Sequence, residues 1–573
     1  MKRKTLLSLC LIAIMTVLFA ITVSAADPVE AWDISATEND SVTAYLYADP
    51  VNEGKYTLTI SGTGNMAGWG WNSAPWHASY RLTISSVTIE GGVTSVGQYA
   101  FTQCDGIESI TIGSNVVTLG HGAFQGCGGV KEINFNATRL NGFSDSHYVF
   151  EYTGVNTDGI TVNIGNKVEI IPSNLFHVKD PTKLNLKTVV FEANSSCTII
   201  DKSAFCNCFS LKSVTLPTSL TTIEHGAFYQ TGLDSIVILE NVTYIGPCAF
   251  EGCGSLKSVT LPQGLKTLGY SAFRYCRALE QVAFNATLMD DMGEDNHAFE
   301  YAGENTSGLT FKVGKNVARI PARLFNTVGC NLKAIVFEAN SSCTTIGTDA
   351  FCNSSNLKAV TLPKSITTLE RGVFYNTGLE KIIIPVSVTS IGMYVFEYCT
   401  ELTIYTELAS QPSTWHAEWN KSSCPVVWDY KTTLRDNIFT FKGYSFNEAG
   451  QIAFGFDVDI ESKTAYEELT GKKLEIGALF ASYDYLGGKQ PLDNSGKETT
   501  LNTGKVVKHN LSDYEYLYYD FILTDISDEL KGVKLVISAY VCNGEETKYE
   551  QENGMSDTVT GISYNKAKES KVA

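Results

Sequence analysis

Apolar side chains recur at fixed offsets along most of this chain. The unit is close to Ile-Gly-x-x-Ala-Phe-x-x-Cys-x-x-Leu-x-x-Val-x-Leu-Pro, with its clearest copies at residues 96–112, 119–135, 200–217, 245–262 and 268–284. Within one copy, Val214 and Leu216 alternate with Ser213 and Thr215, and this period of two predicts a short strand with one face buried. Pro217, which has no N–H to give to a ladder, ends it. The return leg then turns Leu220, Ile223, Ala227 and Phe228 inward. So few apolar groups close no core by themselves, so neighbouring copies must stack and share one.

The marker phenylalanines are Phe101, Phe124, Phe150, Phe176, Phe205, Phe228, Phe250, Phe273, Phe299, Phe325, Phe351, Phe374 and Phe396. Half of the steps are 22 or 23 residues, and longer ones of 26 to 29 mark insertions; residues 180–184 read as one that could be removed. A second period lies above the first. Phe101, Phe124, Phe150 and Phe176 return 149 residues later, and Val-Phe-Glu-Ala-Asn-Ser-Ser-Cys stands at both 190–197 and 336–343. A block of six units was duplicated whole. The pattern predicts a β-rich solenoid: a parallel strand ladder with irregular or short helical return legs, about fourteen strands at ~4.8 Å per rung.

An open stack must hide its terminal rungs. Before the first unit, residues 56–62 alternate like a strand and Trp69, Trp71 and Trp76 cluster, either as a lid or as a sugar-stacking platform. Trp415, Trp419 and Trp428 occupy the same place at the far end. Beyond residue 430 the repeat stops, and alternating segments at 439–441, 452–458, 474–480, 516–523 and 535–541 predict a β-sandwich. The expected organisation is a signal peptide at 1–25, an N-terminal β cap at 26–81, the solenoid at 82–430 and the sandwich at 431–573.

Composition narrows the function. Hydrophobic residues make up 44% and charged residues 18%, which suits a folded chain. A net charge of -18 without a basic block past the first residues excludes nucleic acid and anionic lipid as partners. Lys2, Arg3 and Lys4, an apolar run and the small residues Ser24, Ala25 and Ala26 read as a secretory signal, with no membrane insertion after cleavage. The expected product is an exported monomer, soluble or held noncovalently to a surface.

With the repeat written out, the chain resembles the BspA-like subfamily of leucine-rich repeats, secreted and surface proteins of anaerobic bacteria and some protists. The resemblance spans roughly residues 82–430 and implies an adhesin or host-interaction role. Two C-terminal segments, Ile-Gly-Ala-Leu-Phe at 476–480 and Ile-Ser-Ala-Tyr-Val at 537–541, resemble an immunoglobulin-like accessory module.

Candidate chemistry is sparse. Cys104, Cys127, Cys208, Cys253, Cys276 and Cys399 each stand three residues after a marker Phe, which reads as a register of small buried thiols, reduced in spite of export. His416 and Glu418 lack the further partners of a zinc site. Asp290, Asp291, Glu294 and Asp295 read as a solvated loop, with calcium as the alternative. No nucleophile elbow or phosphate loop is present, so no cofactor and no catalysis are expected. The candidate site is the outward strand ribbon and the column beside it: Lys131, Glu132, Lys187, Lys212, Ser213, Thr215, Lys257, Ser258, Thr260, Lys358 and Thr361. Its expected partner is a protein or glycan on a cell or matrix surface. The alternative is carbohydrate binding through the aromatic caps or the C-terminal module.

Overall fold

Each copy of the repeat forms one turn with three sides: a strand of about four residues, a two-residue strand, and a return leg that carries the marker Phe. The computed structural model describes residues 27–430 and, beyond them, the backbone of the strands between Phe439 and Ser563. The expected signal segment lies outside the described residues. The chain divides into two units, 1–256 and 257–573.

In the first unit, strands Glu30–Asp33, Ser41–Ala48 and Tyr56–Asn65 pair antiparallel. The third strand then opens a parallel ladder through Ile84–Ile89, Ser109–Ile112, Glu132–Phe135, Ile160–Ile164, Leu186–Phe191 and Ser213–Thr215. The alternation read from the sequence holds, with Ile110, Ile133, Val162, Val189 and Val214 buried and their neighbours outside. A second ladder joins Ile170–Ile171, Ile199–Ile200, Thr222–Ile223 and Tyr244–Ile245. Between the ladders, Phe101, Phe124, Phe150, Phe176, Phe205, Phe228 and Phe250 stack face to face at 5.0 to 5.6 Å.

The return legs are not helical, contrary to one of the expected forms. Among the described residues the helical segments are His77–Tyr80 and the short turn Pro181–Lys183. Instead, left-handed residues flank most marker phenylalanines two positions before and two after: Tyr99 and Gln103, Gly122 and Gly126, Ser203 and Asn207. This turns alternate N–H groups toward the next turn. The amides of Tyr99, Phe101 and Gln103 donate to the carbonyls of His121, Ala123 and Gln125 at 3.0, 2.8 and 2.8 Å. A left-handed residue other than glycine costs roughly 1 to 2 kcal/mol, and the bond it allows offsets about 0.5 to 1.5 kcal/mol.

These return-leg bonds all run toward higher residue numbers, so the first turn leaves carbonyls open and the last leaves amides open. At the start, the Trp69 amide donates to Gln98 O at 3.0 Å, and the buried Trp76 indole Nε1 donates to Ala100 O at 3.0 Å. Trp76 also stacks on Phe101 at 5.3 Å, so it acts as a lid, the first of the two roles expected of the tryptophan cluster.

Residues 180–184 contradict the reading of a removable insertion. Leu184 is buried and bridges Thr153, the Lys183 carbonyl accepts from the Tyr152 amide, and Lys183 pairs with Glu151 at 3.7 Å. The extra residues fill the turn rather than loop out of it.

In the second unit one ladder runs Ser258–Leu261, Gln281–Phe284, Leu309–Val313 and Leu332–Phe337, and another Ala359–Thr361, Lys381–Ile384, Thr403–Thr406 and Val426–Val427. Phe273, Phe299, Phe325, Phe351, Phe374 and Phe396 stack at 4.7 to 6.0 Å. A Cβ on Gly392 would come within 2.6 Å of the Arg371 backbone nitrogen, so close approach of the turns explains the motif glycine there. The last open amides, of Tyr394 and Tyr398, find Glu418 O at 3.0 Å and Ser422 Oγ at 2.8 Å. Buried Trp415 and Trp419 sit at this end, the latter edge-on to Phe396 at 6.0 Å.

Further along the chain, Phe439–Phe446, Ile452–Asp459, Tyr516–Thr524 and Lys505–Ser512 pair antiparallel, as do Glu475–Ser482, Lys534–Cys542 and Thr547–Tyr549. The strands expected from alternation all overlap these.

Candidate binding surface

In the first unit, register brings Ser86, Ser109, Glu132, Thr161, Thr188 and Ser213 into one outward column and Thr88, Thr111, Asn134, Asn163, Val190 and Thr215 into the next. Glu132, Ser213 and Thr215 are exposed. Lys187 lies at a register shift between Leu186 and Thr188, and Lys131 and Lys212 stand just before their strands. In the second unit Ser258 aligns with Gln281 and Thr310, Thr260 with Ala283 and Lys312, and Thr361 with Ile383 and Tyr405. Lys257 and Lys358 are exposed beside them.

The lysines and the hydroxyls do different things. Lys131 pairs with Glu108 at 2.7 Å and Lys358 with Glu380 at 3.3 Å, each one turn away. Lys212 reaches Gly232 O at 3.0 Å and Asp234 at 3.6 Å, and Lys187 reaches Asp158 O at 3.3 Å. These cations tie turn to turn, although exposed pairs of this kind stabilise by only ~0.2 to 1 kcal/mol. By contrast, no described residue hydrogen-bonds the hydroxyls of Ser213, Thr215, Ser258, Thr260 or Thr361, so they stand free on the ribbon.

Sequence reasoning placed Ile383 on the ribbon but missed its other apolar members Val190, Val336, Tyr405 and Val427. Val190 is 40% exposed and Val336 46%, and the row Ile383, Tyr405 and Val427 makes the last turns apolar, with Tyr430 packed on Tyr405 at 5.1 Å. The signal was present in the strands at 186–191 and 332–337, whose outward positions follow a one-residue shift in register.

The thiols carry no chemistry of their own. Cys127 Sγ donates to Phe101 O at 3.0 Å, Cys253 Sγ to Phe228 O at 3.1 Å and Cys399 Sγ to Phe374 O at 3.0 Å, one turn back in each case. At the same place Thr153 donates its hydroxyl to Phe124 O at 3.0 Å. At these turns the position holds a small donor and not merely a filler, whereas after Phe299 it holds Ala302, which has none. Burial pushes the Cys104 thiol up to about 12 and the Cys253 thiol up to about 11, and places Cys127 and Cys208 well above the usual thiol range. Such thiols are protonated at neutral pH and poor nucleophiles.

Two acidic positions weighed for metal have other partners. Burial opposes ionisation of Asp291, but hydrogen bonds from Arg319 and from the Ala322 amide outweigh it and hold the carboxyl below its usual range. Glu294 pairs with Arg323 at 3.4 Å, and His416 Nδ1 accepts from the Glu418 amide at 3.0 Å. Among the described residues no group of three or more His, Cys, Asp or Glu is placed to hold a metal ion.

Parallel ladders, one inward aromatic per turn and capped ends define a leucine-rich repeat solenoid. The sequence profile of the BspA type leucine rich repeat region matches in six copies over residues 77–182, 182–302 and 318–410, more than half of the chain. The protein belongs to that family. Among solved structures it is similar to a leucine-rich repeat protein from Bacteroides ovatus, at 19% identity over 67% of this chain and 98% of that one, with a TM-score of 0.38. It is also similar to a leucine rich cell surface protein from Faecalibacterium prausnitzii, at 22% identity over 68% and 97%, TM-score 0.27. The pneumococcal vaccine antigen PcpA matches at 18% identity over 69% and 85%, TM-score 0.24. No curated protein matches the chain.

Proposed function

We propose that the protein is a secreted or cell-surface binding protein that recognises a protein or glycan on a cell or matrix surface, without catalysis. The observation that carries this reading is the free hydroxyl row of the ribbon. In the first unit, register brings small hydroxyls of neighbouring turns into the same columns, while Lys131, Lys187 and Lys212 beside them are engaged within the protein. The signal-like segment at 1–25 supports export, and membership of the repeat family supports a scaffold whose surface does the work. The C-terminal strands, in this reading, pack as an immunoglobulin-like sandwich that spaces the ribbon from its point of attachment.

A ribbon rich in small side chains and poor in Trp and Arg gives weak single contacts, so many copies must act together. Full-length protein coated on beads should bind target cells about 10² to 10⁴ times more tightly than free protein. Replacing Ser213 and Thr215 with lysine should abolish bead binding, read by flow cytometry. Bead binding that survives those substitutions, or cells that bind neither form, would rule out the ribbon as the contact.

A further inference from the structure

A second surface in the first unit lies on the return legs, away from the strand ribbon. Left-handed backbone two residues before the marker Phe carries Tyr99 and Tyr148 there, and His121 precedes its own marker by three. Together with Trp71 they form an aromatic stripe. Trp71 meets Tyr99 at 5.4 Å and Tyr99 meets His121 at 5.2 Å, both edge to face; His121 meets Tyr148 at 6.0 Å. Below it, His147 is fixed by its Nε2 at 2.8 Å from Leu119 O and by contact with buried Phe143 at 5.0 Å. Trp71 remains 50% exposed.

A purely structural seam would engage its polar atoms. Here no described residue hydrogen-bonds the hydroxyls of Tyr99 or Tyr148 or either ring nitrogen of His121. We propose that this stripe binds a neutral linear oligosaccharide, with the rings against its C–H faces and the free hydroxyls and imidazole between its hydroxyl groups. Rings with an apolar body and a wet edge suit such a ligand.

The size and charge of the stripe decide against the other classes. An aromatic side chain buries ~150 to 250 Å2 when wholly covered. Four that are already partly covered fall short of the ~800 Å2 that each side of a standard protein interface needs. Nucleobases also stack on aromatic rings, but their phosphates require cations. The stripe holds no Lys or Arg, and the chain carries a net charge of -18.

Isothermal titration calorimetry of the full chain against cellohexaose, xylohexaose, mannohexaose and maltohexaose tests the proposal. At least one should give saturable binding. Trp71→Ala and Tyr99→Ala should each weaken it about tenfold, the loss of a ring contact of about 1.4 kcal/mol, while their thermal melts match the parent. Lysine at Ser213 and Thr215 should leave oligosaccharide binding unchanged, which separates this site from the ribbon. No saturable binding to any of the four, or binding that both aromatic substitutions leave intact, would overturn it.

Discussion

Phe228→Ala is expected to destabilise the protein by ~3 to 5 kcal/mol, the range for deleting a fully buried aromatic ring that its surroundings cannot replace. Phe228 lies 5.3 Å from Phe205 on one side and 5.3 Å from Phe250 on the other, all wholly buried. Its amide is bonded to Ala249 O at 2.8 Å, and the adjacent turns are held by the two ladders. The turns therefore cannot close over the gap. Because a repeat stack is stabilised largely by contacts between nearest neighbours, the urea transition should also broaden or split as the two sides uncouple. Phe209→Ala is the control: Phe209 is exposed in the preceding turn, just after Phe205, and its loss should stay within about 0.5 kcal/mol. Equal effects of the two substitutions would contradict the column.

Trp76→Ala should cost a similar ~3 to 5 kcal/mol, and Trp76→Phe separates its two roles. The indole stacks on Phe101 at 5.3 Å, packs edge-on with Trp69 at 5.4 Å and Trp32 at 6.0 Å, and donates Nε1–H to Ala100 O. Inside the stack the matching carbonyl, that of Ala123, receives the amide of Phe101. At the first turn no earlier Phe exists, so a side chain must supply the proton. Phenylalanine keeps most of the apolar contact but leaves a buried carbonyl without its donor, a loss of ~1 to 3 kcal/mol. Thermal melts of the three proteins should rank parent, Phe, Ala. If Trp76→Phe melts with the parent, the directional return leg does not need its cap.

Much of this was legible because the repeat keeps its offsets. Ala227 and Phe228, Leu220 and Ile223 are buried as the period demanded, and Ser213 and Thr215 stand outside. The left-handed positions were not legible. They hold Tyr, Gln, Gly, Ser and Asn by turns, so composition gives no sign of them, and the direction of the return-leg bonds is a property of the backbone alone. The role of the cysteines was only half visible. Spacing places them inside, but the donor bond shows only when Thr153 is found making it in place of a thiol. Residues 180–184 misled because length was taken for looseness, when Leu184 points into the core. On the ribbon, the outward hydroxyls followed from alternation, whereas the ties made by Lys131, Lys212 and Lys358 depend on residues one turn away.

Stacked turns that keep their thiols inside and are not cross-linked to one another are the central claim, and thiol titration without reductant tests it directly. None of the thirteen described cysteines from Cys104 to Cys424 forms a disulfide, and twelve of them are buried, Cys248 being the one in partial contact with solvent. Native protein at neutral pH should therefore react slowly at these positions, and the same sample unfolded in guanidinium should release them all. A denatured protein that reveals few thiols, or a native one that titrates most of them at once, would contradict the stacked register.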